Sequence, residues 1–102
     1  MVEVRWTFQS LEDIENIAEF IAKDSIRYSN QIVEDFFDRV LILEKNPQAG
    51  PIVPEILNEK IRQLTLGNYR IIYYLKTENQ IDILTVHHSS KLIRKKEILK
   101  NI

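Results

Sequence analysis

Val2, Val4, Trp6 and Phe8 alternate with Glu3, Arg5 and Thr7, the two-residue period of a strand with one buried face. Trp6 is expected to anchor the core from this strand. From Leu11 the period lengthens: Leu11, Ile14, Ile17, Ala18 and Ile21 share one face at helical spacing, predicting a helix that ends near Lys23. Ser10 is expected to cap it, with Asp13 completing a capping box. The early acids Glu12, Asp13 and Glu15 complement the helix dipole, and no chemistry is assigned to them. Asp24-Ser25 breaks the pattern and caps a second helix over about Ile26 to Lys45, where Tyr28, Ile32, Phe36, Val40 and Leu43 recur every three or four residues. So short a link predicts an antiparallel helical hairpin. Pro47 stops it, and PQAGPIVPE reads as an extended connector.

The strand period returns between Lys60 and Lys91. Ile61 to Leu66, Tyr69 to Lys76 and Ile81 to His88 are rich in β-branched and aromatic residues, and tight turns at Gly67-Asn68 and Thr77 to Gln80 separate them. On the middle strand Arg70, Ile72, Tyr74 and Lys76 share one side, opposite Tyr69, Ile71, Tyr73 and Leu75. On the last, Asp82, Leu84, Val86 and His88 alternate with Ile81, Ile83, Thr85 and His87. From Ser89 onward the apolar residues form only a ragged face, so this segment is either a short docked helix or a mobile tail. The fold class is α+β: a small antiparallel sheet with an N-terminal helical hairpin on one face, in the order β-α-α-β-β-β. The pattern leaves open where the first strand joins the sheet.

At 102 residues the chain is expected to be one domain, residues 1–102, with a core that needs no staples. It has no cysteine, which excludes disulfides and thiolate metal sites, and no apolar run reaches the ~20 residues of a membrane span. A cytoplasmic location is the expectation. The net charge of −1 conceals a division. Residues 11–44 hold nine acids against three bases, and residues 60–102 nine bases against three acids. Such polarity fits a cationic surface that meets an anionic partner, or two solvated faces of opposite sign.

With these elements placed, IAEFIAKDS, LEKNPQAG, VPE, IRQLTLGNYRIIYYL and IDILTVHHSSKL resemble, in order and spacing, the RelE/ParE family of toxins from bacterial type II toxin–antitoxin modules. GNYRIIY followed by the histidine-containing strand carries most of the likeness. The resemblance implies the two-helix, small-sheet fold reached above and a toxin neutralised by a cognate antitoxin, with operator DNA contacted only through that antitoxin. It implies no cofactor, metal or membrane. Two targets follow from two branches: ParE-like members inhibit DNA gyrase, and RelE-like members cleave mRNA on the ribosome. The long hairpin, the VPE to IRQL spacing and the modest net charge favour the ParE branch. A degenerate toxin that survives as an antitoxin-binding co-repressor is a third class.

If the chain were a ribonuclease, the resemblance would make Arg70, His88, Arg62 and Glu55 its catalytic set: Glu55 as base, His88 as acid, the arginines on the phosphate. The C-terminal tyrosine usual in nuclease members is absent, and Ser89 follows His88. For antitoxin or target binding the expected residues are Arg62, Arg70 and Lys91. Arg70 is read as a solvent-facing strand position and Glu55 as loop surface.

Overall fold

The computed structural model covers residues 1–102. In chain order it places β1 (Glu3–Trp6), α1 (Phe8–Ala22), α2 (Ile26–Arg39), β2 (Ile61–Leu66), β3 (Tyr69–Thr77), β4 (Gln80–His88) and α3 (Lys95–Leu99), with a 3-10 segment, Val40–Glu44, prolonging α2. The sheet runs β1-β4-β3-β2. Its last three strands form an antiparallel meander, and β1 lies parallel along the free edge of β4. Gly67, at the β2–β3 turn, has a φ of 55° while Asn68 does not adopt a positive φ. Positive φ at the first central residue alone is the pattern of a type II′ hairpin turn, which glycine adopts without a Cβ penalty.

The helical hairpin covers one face of the sheet. Ile14, Ile32, Phe36, Val40 and Leu43 pack there against Leu64, Ile71, Tyr73, Ile81, Ile83 and Val86. Helices of 15 and 14 residues are marginal alone in water. Each buried Ile, Leu or Phe side chain is worth roughly 1.5–3 kcal/mol, against about 1 kcal/mol for a cap, so packing on the sheet holds the hairpin. The opposite face is buried too. Val53 and Ile56 of the connector and Ile93 and Ile98 around α3 close over Ile61, Ile72 and Leu84. The ragged apolar residues of the tail are thereby sorted: Ile93 and Ile98 are its anchors, and Leu92 stays exposed.

The start of α1 differs from the pattern-based expectation. Thr7 caps the helix, and its hydroxyl accepts the Ser10 amide at 3.2 Å. The same hydroxyl donates to the Ile83 carbonyl at 2.7 Å, which ties the helix start to β4. Ser10 lies fully buried inside the first turn and donates to the Thr7 carbonyl at 2.8 Å. Phe8 sits on that turn 82% exposed rather than in the strand. Asp13 is no capping-box residue. Its Oδ2 accepts the Thr85 hydroxyl and the Val86 amide, the latter at 3.0 Å, and its Oδ1 accepts the Gln9 side-chain amide at 2.8 Å. β1 ends at Trp6, opposite Ile83, so the β4 edge beyond lacks a strand neighbour. Asp13 supplies an acceptor that the missing strand would have provided.

A bulge in β4 resets its faces. Tyr73 pairs with Ile83 but Ile72 pairs with Thr85, leaving Leu84 as the extra residue. Ile81, Ile83 and Val86 therefore all join the hairpin-side core, and Leu84 joins the other. Strict alternation along the sequence would have put Val86 with Leu84.

Asp13→Ala should cost about 1–3 kcal/mol, because it strands the buried Thr85 hydroxyl and the Val86 amide. Thermal or urea unfolding would measure this, and a loss no larger than at an exposed helical acid such as Glu12 would contradict it.

Candidate functional site

The bulge decides which histidine comes beside Arg70. In register, Arg70 faces Thr65 on β2 and His87 on β4, whereas Tyr69 faces Leu66 and His88. Arg70 and His87 therefore lie on the α3 side of the sheet, and Tyr69 and His88 on the hairpin side. Alternation along β2 turns Arg62, opposite Tyr73, toward the hairpin side as well.

Arg70 is brought together with Glu55. Its two terminal nitrogens donate to the two carboxylate oxygens at 2.7 and 2.9 Å, a bidentate fork. Its Nε donates to the Gln63 side-chain oxygen at 2.7 Å, and one terminal nitrogen reaches that same oxygen. The Arg70 side chain is only 12% exposed and that of Glu55 33%. The position expected to face solvent is thus covered by the VPE turn, which Val53 and Ile56 hold in the second core. Bonding to Arg70 keeps the Glu55 carboxyl below its usual pKa, against a smaller upward push from desolvation. A base in a nuclease would need the opposite shift.

His87, rather than His88, is the histidine on this side. It is 8% exposed, and its Nδ1 has no hydrogen-bond partner. Burial pushes its pKa down, with Lys91 adding to the effect and Asp13 and Glu97 opposing it. The His88 ring is exposed, bonded through Nδ1 to the Ser90 hydroxyl at 2.7 Å and the Ser90 amide at 3.1 Å, and set edge-on to Tyr69 at 5.5 Å. Of the four residues expected for a nuclease, the structure joins Arg70 to Glu55 and places His88 and Arg62 across the sheet. No three His, Asp or Glu side chains converge as a metal site would require.

Two concavities lie side by side around Tyr69 and His88. One, of about 360 Å³, runs between α1 and the end of β4 past Ile17, Phe20 and Val86, with Lys91 on its rim. The other, of about 260 Å³, runs between the hairpin and the β2–β3 turn past Ile21, Tyr28, Ile32 and Leu66. Phe20, in the wall of the first, is 68% exposed. Phe20 and Tyr69 escaped the sequence reading because one falls off the helical stripe and the other reads as packing. The only available signal was a large aromatic outside the buried face of α1.

This α+β architecture, a helical hairpin over a four-stranded sheet, is a small toxin fold of the RelE/ParE kind. Residues 4–93 match the family model of the ParE toxin of type II toxin–antitoxin systems, parDE. The chain belongs to that ParE toxin family. Among solved structures it is similar to the chromosomal ParDE toxin–antitoxin system from P. aeruginosa, with a TM-score of 0.71 and 21% identity over 86% of this chain and 96% of that one. It is also similar to the toxin–antitoxin complex RelBE2 from Mycobacterium tuberculosis, with a TM-score of 0.56 and 25% identity over 85% and 96% of the two chains. No curated protein sequence matches it.

Arg70→Ala should destabilise the fold by about 1–2 kcal/mol at neutral pH, since charged hydrogen bonds are lost while a part-exposed Glu55 is rehydrated. Because the folded Glu55 carboxyl titrates below its ordinary 4.5, the native protein keeps this contribution above that value and loses it as pH falls through the folded pKa. Unfolding of both proteins from pH 7 to 3 should show the gap closing under acid. A gap independent of pH would exclude Glu55 as the partner that matters.

Proposed function

We propose that this toxin arrests growth by binding a protein target, DNA gyrase being the target its family resemblance implies, and that a cognate antitoxin neutralises it. The state of Arg70 carries the reading. A guanidinium whose fork already holds a carboxylate and an amide oxygen has little left to offer a scissile phosphate. His88, the expected acid, stands on the other side of the sheet. The expected acid His88 and the cation Arg62 lie across the sheet from the Arg70–Glu55 pair, which favours inhibition by contact over RNA cleavage.

The antitoxin part of the proposal draws on the two neighbours, both toxin–antitoxin assemblies. The paired concavities at Tyr69 and His88 suit an amphipathic segment: Ile17, Ile21, Ile32 and Leu66 offer apolar contact, Phe20 and Tyr28 stand out as anchors, and Lys91 meets an acid at the rim. Operator DNA is then reached through the antitoxin.

Two measurements test this. Phe20→Asp should weaken association with the product of the neighbouring antitoxin gene by at least about 30-fold, the effect of losing a hot spot worth about 2 kcal/mol. Because Phe20 is largely exposed, unfolding should shift by less than about 0.5 kcal/mol; unchanged affinity would move the antitoxin elsewhere. Separately, induced expression should bring growth arrest with gyrase-dependent DNA damage and intact mRNA, and His88→Gln should leave that arrest in place. A positioned acid contributes about 10²- to 10⁴-fold. Ribosome-stimulated mRNA cleavage by the purified protein, lost by such a factor in His88→Gln, would reverse the assignment.

A further inference from the structure

Arg62 differs from Arg70 in one respect that matters for binding: its guanidinium has no acid. The ion pairs of the protein are Arg5–Glu3, Arg70–Glu55 and Lys76–Asp82. Arg62 instead donates from Nε to the Glu59 carbonyl and from a terminal nitrogen to the Gly50 carbonyl, both at 3.0 Å. Neutral acceptors hold two of its five N–H groups, and no carboxylate lies within ion-pair distance of it. It lines an open cleft of about 760 Å³ between residues 46–48 and the ends of β2 and β3, with Pro47, Lys60 and Leu75 also in the wall.

The frame around Arg62 is fixed from below. The buried Tyr73 hydroxyl donates to the Pro47 carbonyl at 2.8 Å and accepts the Gly50 amide at 3.0 Å. A Cβ on Gly50 would stand 2.1 Å from the Gln63 carbonyl oxygen, so only glycine permits this approach of loop to strand. The carbonyl that orients Arg62 therefore has little freedom. An arginine whose rotamer is already set avoids much of the ordering cost on binding and keeps three N–H groups, on its two terminal nitrogens, for a carboxylate or phosphate.

The other charges of the cleft select between those two anions. Glu59 and Glu78 share its wall with Lys60 and Arg62, so the lining is balanced rather than basic. A phosphodiester backbone, carrying a charge at every step, would meet two carboxylates as well as two cations. A single carboxylate beside a cation matches the set: the acid on the Arg62 fork, the base near Glu59 or Glu78, the intervening residue against Pro47 and Leu75. We propose that this cleft is a docking point for a protein partner, taking a segment in which an acidic side chain lies a few residues from a basic one. Leu75 is six residues from Tyr69 along β3, about 20 Å at the rise of a strand. The cleft is thus a second contact site, distinct from the groove at Tyr69 and His88.

The test is a titration of the isolated protein with a blocked tetrapeptide bearing glutamate at one end and lysine at the other, followed at the Arg62 Nε–H and Gly50 amide NMR signals. We expect a saturable shift at both, weakened at least about tenfold when glutamine replaces the peptide's glutamate, since a charged bidentate pair becomes a neutral bond. Arg62→Lys, which keeps the charge and loses the fork, should weaken the Gly50 response comparably. If that variant fails to fold, the peptide comparison on the native protein decides alone. No saturable shift would refute the site, and tighter binding of inorganic phosphate or a short oligonucleotide would refute the choice of partner. No antitoxin is present in the titration, so its failure would leave the groove reading standing.

Discussion

Between Ile83 and Thr85 strand β4 carries one residue more than the β3 stretch it faces, and the distribution of side chains depends on that insertion. A two-residue period is unforgiving, because a slip of one residue exchanges every later side chain between faces. Here the exchange moves Val86 onto the hairpin side, where the core would otherwise have a polar Thr85. It sends His87 to the α3 side beside Arg70 and leaves His88 edge-on to Tyr69. The bulge comes where β1 ends and α1 departs. The β4 edge there gains no strand neighbour, and Thr7 and Asp13 bond to its backbone instead. Strand end, helix cap and bulge form one arrangement.

The β2–β3 register, which the bulge does not touch, puts Arg62 and Arg70 on opposite faces and in different physical roles. Arg70 sits under the connector with its donors committed to Glu55 and Gln63. Leaving a guanidinium part-buried without such partners would cost more than the pair contributes, so its fork is a condition of closing the second core. Arg62 stands at the far end of the sheet, held by carbonyls that orient it without neutralising it. Burial of an arginine by itself decides neither role; the charge on its acceptors does.

Much of the fold was legible in the sequence. Both helices, the four strands and the Gly67-Asn68 turn follow from periodicity and turn chemistry, and Ser25 caps α2 as its position suggests. What periodicity could not reveal are the effects that act between elements. Ser10 and Thr7 are both good caps, and only the Thr7 contact to Ile83 selects between them. Nothing in the string marks Leu84 as an extra residue, because the alternation of Ile, Leu and Val is apolar on either register. The candidate site was less legible for the same reason. Arg70 and Glu55 were identified individually, but a strand and a connector fifteen residues apart meet through tertiary packing, which no local pattern encodes.

The charge division along the chain has a physical counterpart in the groove at Tyr69. Its α1 wall belongs to the acidic half of the sequence, and its other wall, at His88 and Lys91, to the basic half. Apolar surface at Ile17, Val86 and Leu66 would set how tightly a docked segment sits in the proposed groove, since non-directional burial supplies much of binding free energy. Asp13 on one wall and Lys91 on the other would set which way round a docked segment sits, because a reversed segment would place like charges together. The basic tail contributes without being loose: Ile93 and Ile98 anchor it in the second core, so Lys91 projects from a fixed turn whose amide bonds to the His88 carbonyl at 2.9 Å. A partner that reads this groove therefore reads shape and polarity together, from residues that two separate cores hold in place.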